Sequence, residues 1–126
     1  MKVDEISKSV LPQNDVEFLE LMESEADWFV RNLDDFAQLI SSSKNPLAKV
    51  DQDVVEQFKN GLKFNNGGLA GADYSMLEGG MSDKELLDLW EYFGISENLH
   101  KAYHNYECTG PGNCESNSGN ICTNNC

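Results

Sequence analysis

Basic residues are scarce in this chain. The 126 residues include 9 Lys and Arg against 22 Asp and Glu, which gives a formal net charge of -13. So negative a protein is repelled by phosphate backbones and by anionic lipid surfaces. We therefore expect partners that are neutral or basic, and no nucleic acid among them.

Long apolar runs are also missing. A helix needs about 20 apolar residues to cross a bilayer, and no stretch comes near that length. The first residues, Met1-Lys-Val-Asp-Glu-Ile-Ser-Lys, carry acidic side chains where a secretory signal needs an unbroken apolar segment. We therefore expect no membrane span and a chain that starts in the cytoplasm.

Recognisable catalytic motifs are absent from the sequence. No nucleophile stands beside a base in a known pattern, and no glycine-rich phosphate loop is present. The only two histidines are His100 and His104, four positions apart. The sequence therefore predicts a protein that is not an enzyme and that needs no cofactor.

Cysteine does not occur before Cys108, and all four cysteines lie between Cys108 and Cys126. The stretch around them is rich in Gly, Asn, Ser and Thr and has few apolar side chains. Such a composition buries too little apolar area to offset the entropy of ordering the chain. We therefore expect residues 107–126 to be disordered.

The front of the chain shows helical patterns. Asn14 and Glu17 are spaced as in a capping box, and apolar residues then recur every three or four positions as far as Ile40, which predicts a helix of about seven turns. Further capping boxes start at Asp53 and Ser82. No strand alternation is evident. The predicted fold class is mostly α, a small helical hairpin or bundle followed by a disordered, Gly/Asn/Cys-rich tail.

These patterns divide the chain into five segments. They are a flexible arm (1–13), a helical leader region (14–63), a Gly-rich linker (64–80), an amphipathic helical segment (81–106) and the Cys-rich tail (107–126). Aromatic residues recur at helical spacing, and we expect them to form a core and not a recognition surface. They are Trp28, Phe29, Phe36, Trp90 and Phe93.

The linker ends in a pair of glycines, Gly79 and Gly80. Counted back from Gly80, four positions carry side chains of a recurrent kind: Leu77 is fourth, Tyr74 seventh, Asp73 eighth and Leu69 twelfth. A plain alternative is that two glycines simply interrupt the chain before the next helix. The pattern nevertheless resembles the double-glycine leaders of exported peptides.

That resemblance implies cleavage after Gly80. In such leaders a cysteine protease, usually fused to an ABC exporter, cuts after the second glycine. It would recognise this chain at Leu69, Asp73, Tyr74 and Leu77. Glycine suits the cut because only residues without side chains pass a narrow cleft.

The tail resembles the core of a ribosomally synthesised, post-translationally modified peptide of bacteriocin or lanthipeptide type. In such cores a hydroxyl residue is dehydrated and a nearby cysteine thiolate adds to it, forming a thioether. The candidate crosslink residues are Cys108, Cys114, Cys122, Cys126, Thr109, Ser116, Ser118 and Thr123. The long helical front resembles leaders called Nif11-like or nitrile-hydratase-like, which implies docking to a peptide-modifying enzyme.

Two alternatives to thioethers stay open for the cysteines. Four cysteines allow three disulfide pairings, and spacing does not choose among them. A metal site could use the four thiols, perhaps with His100 and His104. Because the paired C-x2-C spacing of structural zinc sites is missing, we predict no metal.

The favoured function is therefore a precursor peptide. Its leader would dock modifying and export enzymes in the cytoplasm, and its crosslinked tail would be released after Gly80 as a secreted peptide, possibly antimicrobial. The alternative is a small acidic helical interaction protein, an adaptor or nucleic-acid mimic, whose tail is stapled by disulfides or metal.

Overall fold

The computed structural model describes residues 11–23, 29–42, 45–65, 67–123 and 125–126. They form five helices and four strands with one short 3₁₀ turn. In chain order these are α1 (Asp15–Glu23), α2 (Leu33–Ile40), α3 (Gln52–Asn60), β1 (Lys63–Asn65), β2 (Gly68–Asp73), the 3₁₀ turn (Ser75–Leu77), α4 (Asp83–Glu91), α5 (Glu97–Tyr103), β3 (His104–Gly110) and β4 (Asn113–Cys122).

The strands form one antiparallel sheet in the order β1-β2-β4-β3. β1 and β2 are neighbours in the chain, as are β3 and β4, while the central pair joins distant segments. Gly71 of β2 lies opposite Cys122 of β4, and Asp73 lies opposite Asn120. The tail is therefore part of the same sheet as the front of the chain.

The predicted fold class is wrong, because the protein is neither all-α nor disordered at its tail. Residues 107–126 supply most of β3 and all of β4. Their order has a covalent cause, since two disulfides join the cysteines of this segment. A tight turn adds to it: Pro111 is followed by Gly112, whose φ is +71°, in the residue order of a type II turn.

The predicted linker, residues 64–80, is also ordered in the parts that the structure describes, 64–65 and 67–80. It contains the end of β1, all of β2 and the 3₁₀ turn. Gly67, between the two strands, has a φ of +84°, which fits the asparagine-glycine order of a hairpin connection. β2 is buried from Gly68 to Ala72. A strand covered on both faces shows no polar alternation, which explains why the pattern did not predict it.

The long first helix is divided in two. α1 ends at Glu23, and α2 begins at Leu33 after a cap formed by Asn32. The Asn32 side chain accepts a hydrogen bond from the Asp35 N–H (2.9 Å), and the Asp35 carboxylate accepts one from the Arg31 N–H (3.0 Å). The N-cap thus resembles a capping box, except that the Asp35 carboxylate reaches the residue before the N-cap, and it lies in the middle of the predicted helix.

The capping box predicted at Ser82 is confirmed. The Ser82 hydroxyl accepts from the Glu85 N–H (3.2 Å), and the Glu85 carboxylate accepts from the Ser82 N–H (3.0 Å). Hydrogen bonds to the Glu85 carboxylate, first from the Ser82 backbone N–H and then from its side chain, hold the pKa of Glu85 below its usual value. α4 therefore starts where the sequence predicts.

The core is built on aromatic side chains. Phe36, Phe58, Trp90 and Phe93 are all fully buried, and the Phe58 ring lies 5.9 Å from Trp90 and 5.8 Å from Phe36, centroid to centroid. The predicted core role is confirmed for the aromatic residues within the described ranges, whereas Trp28 lies outside them. Most of the predicted arm also lies outside, although Leu11 and Pro12 are buried.

No helix in the described ranges is both long enough and apolar enough to cross a bilayer. The expectation of no membrane-spanning helix is confirmed to that extent.

Candidate processing site and crosslinked tail

The glycine pair lies in an exposed turn between the 3₁₀ turn and α4. Gly79 and Gly80 are both exposed, and a Cβ built on either one meets no described atom within 4 Å. The Gly80 N–H donates a hydrogen bond to the Leu77 carbonyl (3.1 Å). The peptide bond after Gly80 therefore joins an exposed glycine to buried Met81, which is 8% exposed and whose N–H also donates to the Leu77 carbonyl (3.1 Å).

The apolar side chains expected to guide a protease are buried. Leu69 and Leu77 are 0% exposed and Tyr74 is 5% exposed. The Tyr74 ring packs against Trp90, 5.6 Å between centroids, and its N–H donates to the Gly119 carbonyl (2.9 Å). Burial, together with the charge of nearby Glu78, raises the pKa of Tyr74. A protease reaches these side chains only when they leave the core.

Asp73, the fourth expected recognition residue, is half-buried at the end of β2. Its carboxylate accepts hydrogen bonds from the Ser75 N–H (2.9 Å) and the Ser75 hydroxyl (2.7 Å). The carboxylate therefore fixes the turn that follows β2. This local role fully explains an Asp at this position.

The cysteines form two disulfides, Cys108–Cys126 and Cys114–Cys122, and none is free. The inner loop, 114–122, lies within the outer loop, 108–126. Cys108 and Cys114 face each other across β3 and β4, yet they are not bonded to each other. Both crosslinks lie beyond Gly80.

The four hydroxyl residues expected to take part in crosslinks have different environments. Ser116 and Ser118 are exposed. The exposed Thr109 hydroxyl accepts a hydrogen bond from the Asn113 amide (2.7 Å) across the hairpin turn. Thr123 is buried, and its hydroxyl donates to the Ala70 carbonyl of β2 (3.2 Å). Thr123 is thus an anchor of the tail on β2.

Asn125 is a second anchor that the sequence did not reveal. It is 7% exposed, and its side-chain amide donates to the carbonyls of Asn65 and Gly68, the latter at 3.1 Å. The Gly112 N–H donates to the Cys126 carbonyl (2.8 Å), so the end of the chain is tied to the hairpin turn. One more asparagine in an Asn-rich tail gives no pattern from which these partners could be found.

The two histidines lie together, as their spacing suggested. His100 is in α5 and His104 begins β3, and their rings stack 5.1 Å apart between centroids. They line a groove of 680 Å³ together with acidic Glu78, Asp83 and Glu97. Nε2 of His100 is buried and has no hydrogen-bond partner among the described residues. Burial, and then the charge of His104, lower the pKa of His100.

Comparison of the chain with protein-family models, with curated proteins and with solved structures finds no match. The resemblance to double-glycine leaders therefore stays a prediction.

Proposed function

We propose that this chain is a precursor that is cut after Gly80 and that residues 81–126 are its product. The observation that carries the proposal is the position of both disulfides on the C-terminal side of an exposed glycine pair. A cut after Gly80 breaks neither disulfide and leaves α4 with its Ser82 cap. Disulfides persist in oxidising compartments, which suits a secreted product.

In this proposal the front of the chain has two roles. It docks the modifying and exporting enzymes, and it guides the folding of the product. β2 pairs with the last three residues of β4, and Thr123 and Asn125 hydrogen-bond to carbonyls of residues 65–70. These contacts fix the positions of Cys122 and Cys126, the two cysteines that bond to Cys114 and Cys108. Residues 63–73 therefore select one of the three possible pairings.

The burial of Leu69, Tyr74 and Leu77 determines when the cut takes place. A protease that grips these side chains needs residues 69–77 outside the core. Reduction breaks the two disulfides that hold β4 in place. Because β4 pairs with β2 in the sheet, loosening β4 also loosens β2. We therefore expect the reduced chain to be the better substrate, because local opening is easier without the crosslinks.

A double-glycine cysteine protease, incubated with reduced and oxidised chain, tests the proposal. The reduced chain should be cut after Gly80, and the oxidised chain more slowly. Gly79→Val should block the cut, since the protease cleft has no room for a branched side chain although the fold does. Gly110→Val is the matched control, because Gly110 also has no described atom near an added Cβ.

Mass spectrometry of the fragments decides the outcome. Release of residues 81–126 from the wild type and from the Gly110 variant, but not from the Gly79 variant, supports the precursor. An intact wild-type chain in both redox states, or equal cutting of Gly79→Val, contradicts it.

A second candidate is an acidic binding domain, and α1 is the observation that favours it. Val16 and Leu19 on this helix are 66% and 42% exposed, although both are apolar. The same helix carries Asp15, Glu17, Glu20 and Glu23 and no basic residue. Such a surface fits a basic, amphipathic partner segment.

Titration with a basic amphipathic peptide tests this second candidate. Affinity should fall with added salt and in Leu19→Ser, but not in Leu33→Ser, a control on α2 with similar exposure, 44%. Equal affinity for both variants would remove α1 as the binding surface.

A further inference from the structure

Three of the four cysteine sulfurs lie close together, although they belong to two different disulfides. The Sγ atoms of Cys108, Cys122 and Cys126 all lie within 4.8 Å of one another. Cys114 joins them through its bond to Cys122. The two disulfides are therefore close to each other, and reduction would leave three neighbouring thiols with that of Cys114 beside Cys122.

We propose that the chain, when both disulfides are reduced, binds one thiophilic divalent cation such as Zn²⁺ through Cys108, Cys114, Cys122 and Cys126. Zinc–sulfur bonds of about 2.3 Å in a tetrahedron place ligand sulfurs about 3.8 Å apart. The observed limit of 4.8 Å is close enough for rotation of the side chains to reach that distance. The proposal is independent of cleavage after Gly80.

The fold explains how ligands without C-x2-C spacing come together. Cys108 and Cys114 face each other on β3 and β4. Cys122 ends β4 opposite Gly71, where an added Cβ would lie 3.2 Å from the Cys108 Cβ. Cys126 is held at the hairpin by the hydrogen bond from the Gly112 N–H. Strand pairing thus brings the sulfurs together, as closely spaced C-x2-C pairs do in other zinc sites.

Solvent and charge also suit a cation at this point. A cavity of 390 Å³ borders Cys114, Cys122 and Cys126 and gives an ion a route from solvent. The Lys63 ammonium donates a hydrogen bond to the Cys108 carbonyl (3.1 Å). Its positive charge offsets part of the negative charge that four thiolates and one divalent cation carry together.

The redox step is balanced by a dithiol reductant. Each disulfide takes up two electrons and two protons and becomes two thiols, while a dithiol is oxidised to its own disulfide. The cation then displaces the thiol protons, which pass to solvent. Exchange of the cysteine thiolates with a small-molecule disulfide, which takes up two electrons and two protons per bond and becomes two thiols, re-forms the crosslinks and releases the cation. The disulfide form and the metal form therefore exclude each other.

Titration of the full, reduced chain with Co²⁺ tests the site, because thiolate-bound tetrahedral Co²⁺ has a distinctive absorption. We expect one Co²⁺ per chain, displaced by Zn²⁺, and no such signal from the oxidised chain. Cys114→Ser or Cys122→Ser should lower affinity by at least the roughly 10–100-fold that loss of an outer hydrogen-bond partner costs. His100→Ala, which removes no thiol, should bind normally.

A further pair of variants separates this site from binding by any flexible, cysteine-rich chain. Thr123→Val keeps all four thiols but removes the side-chain hydrogen bonding of Thr123 to the carbonyls of Leu69 and Ala70 in β2, so its affinity should fall. Ser118→Ala, an exposed control, should not change it. An octahedral Co²⁺ spectrum, unchanged binding by Cys122→Ser, or unchanged binding by Thr123→Val would each overturn the proposal.

Discussion

The aromatic core and the β3–β4 hairpin are ordered by different forces. Phe36, Phe58, Trp90 and Phe93 are fully buried and pack ring against ring. Residues 111–118 of the hairpin are all exposed, and two disulfides and a tight turn hold them. A segment with almost no apolar area is thus ordered when covalent bonds restrict the conformations of its unfolded state.

The largest effect is expected from a cavity in the core. Phe58→Ala should lower the free energy of unfolding by about 3–5 kcal/mol, because Phe58 contacts Phe36, Trp90 and Phe93 and is fully buried. Urea denaturation followed by circular dichroism measures it. Val16→Ala, at an exposed position, should stay within about 0.5 kcal/mol. A loss below 1 kcal/mol for Phe58→Ala would show that burial does not dominate there.

Removal of a disulfide should have a smaller effect, concentrated in the hairpin. The pair Cys108→Ala and Cys126→Ala opens a crosslink between residues 18 apart and should cost about 3 kcal/mol. The pair Cys114→Ala and Cys122→Ala opens one between residues 8 apart and should cost about 2.5 kcal/mol.

Amide hydrogen exchange measures how far the hairpin and the core each depend on the disulfides. In the variants without a disulfide, amides of β3 and β4 should exchange faster while those of α4 stay protected. Equal loss of protection in α4 would mean that the two regions unfold as one unit and that the distinction between them fails.

The pairing of β2 with β4 joins the aromatic core to the hairpin, and a larger side chain at Gly71 tests how tightly these strands pack. An added Cβ there would lie 3.0 Å from the Ile121 carbonyl oxygen and 3.2 Å from the Cys108 Cβ. Gly71→Val should therefore cost about 1–3 kcal/mol by overpacking. Gly79→Val has open space and should change stability by no more than about 0.5 kcal/mol. Thermal unfolding of both variants gives the comparison.

The smallest expected effect is on pH dependence. Burial, with His104 beside it, keeps the pKa of His100 below the usual 6.5 in the folded chain, against the opposing pull of Asp83 and Glu97. As the pH falls below 6.5, His100 of the unfolded chain is protonated before His100 of the folded chain. The free energy of unfolding therefore decreases between pH 6.5 and the lower pKa that His100 has in the folded chain. Urea denaturation over this range should show the loss, and His100→Gln should reduce it. An identical pH dependence in His100→Gln would assign the effect to other groups.

Local signals predicted local structure in part: the capping box at Ser82 forms, whereas the one predicted at Asp53 is wrong, because Asp53 lies inside α3 and the N-cap is Asp51, which makes no side-chain capping hydrogen bond. Ser82 and Glu85 are three residues apart, so their reciprocal hydrogen bonds could be inferred directly. The cap at Asn32 is equally local, but it lies inside an apolar repeat that continues past it. The regular spacing of apolar residues therefore concealed the break between α1 and α2.

Long-range partners could not be inferred in the same way. Leu69 looks like an exposed recognition residue in a glycine-rich stretch, yet the strands beside it and the core bury it completely. Thr123 and Asn125 hydrogen-bond to residues more than fifty positions earlier, and nothing in their neighbours indicates this. The disulfide pairing could not be inferred from strand register either, because Cys108 lies opposite Cys114 and yet is bonded to Cys126.

The pairing of β2 with β4 also has a consequence for the order of folding. Gly71 and Cys122 are about fifty residues apart, and contacts between such distant residues form slowly, whereas short helices such as α3 and α4 form from neighbours. Each newly made chain therefore passes through an interval in which its helices exist and its four thiols are still exposed to solvent. The rate at which any oxidant, metal ion or enzyme acts on the cysteines therefore competes with the rate at which β2 and β4 pair.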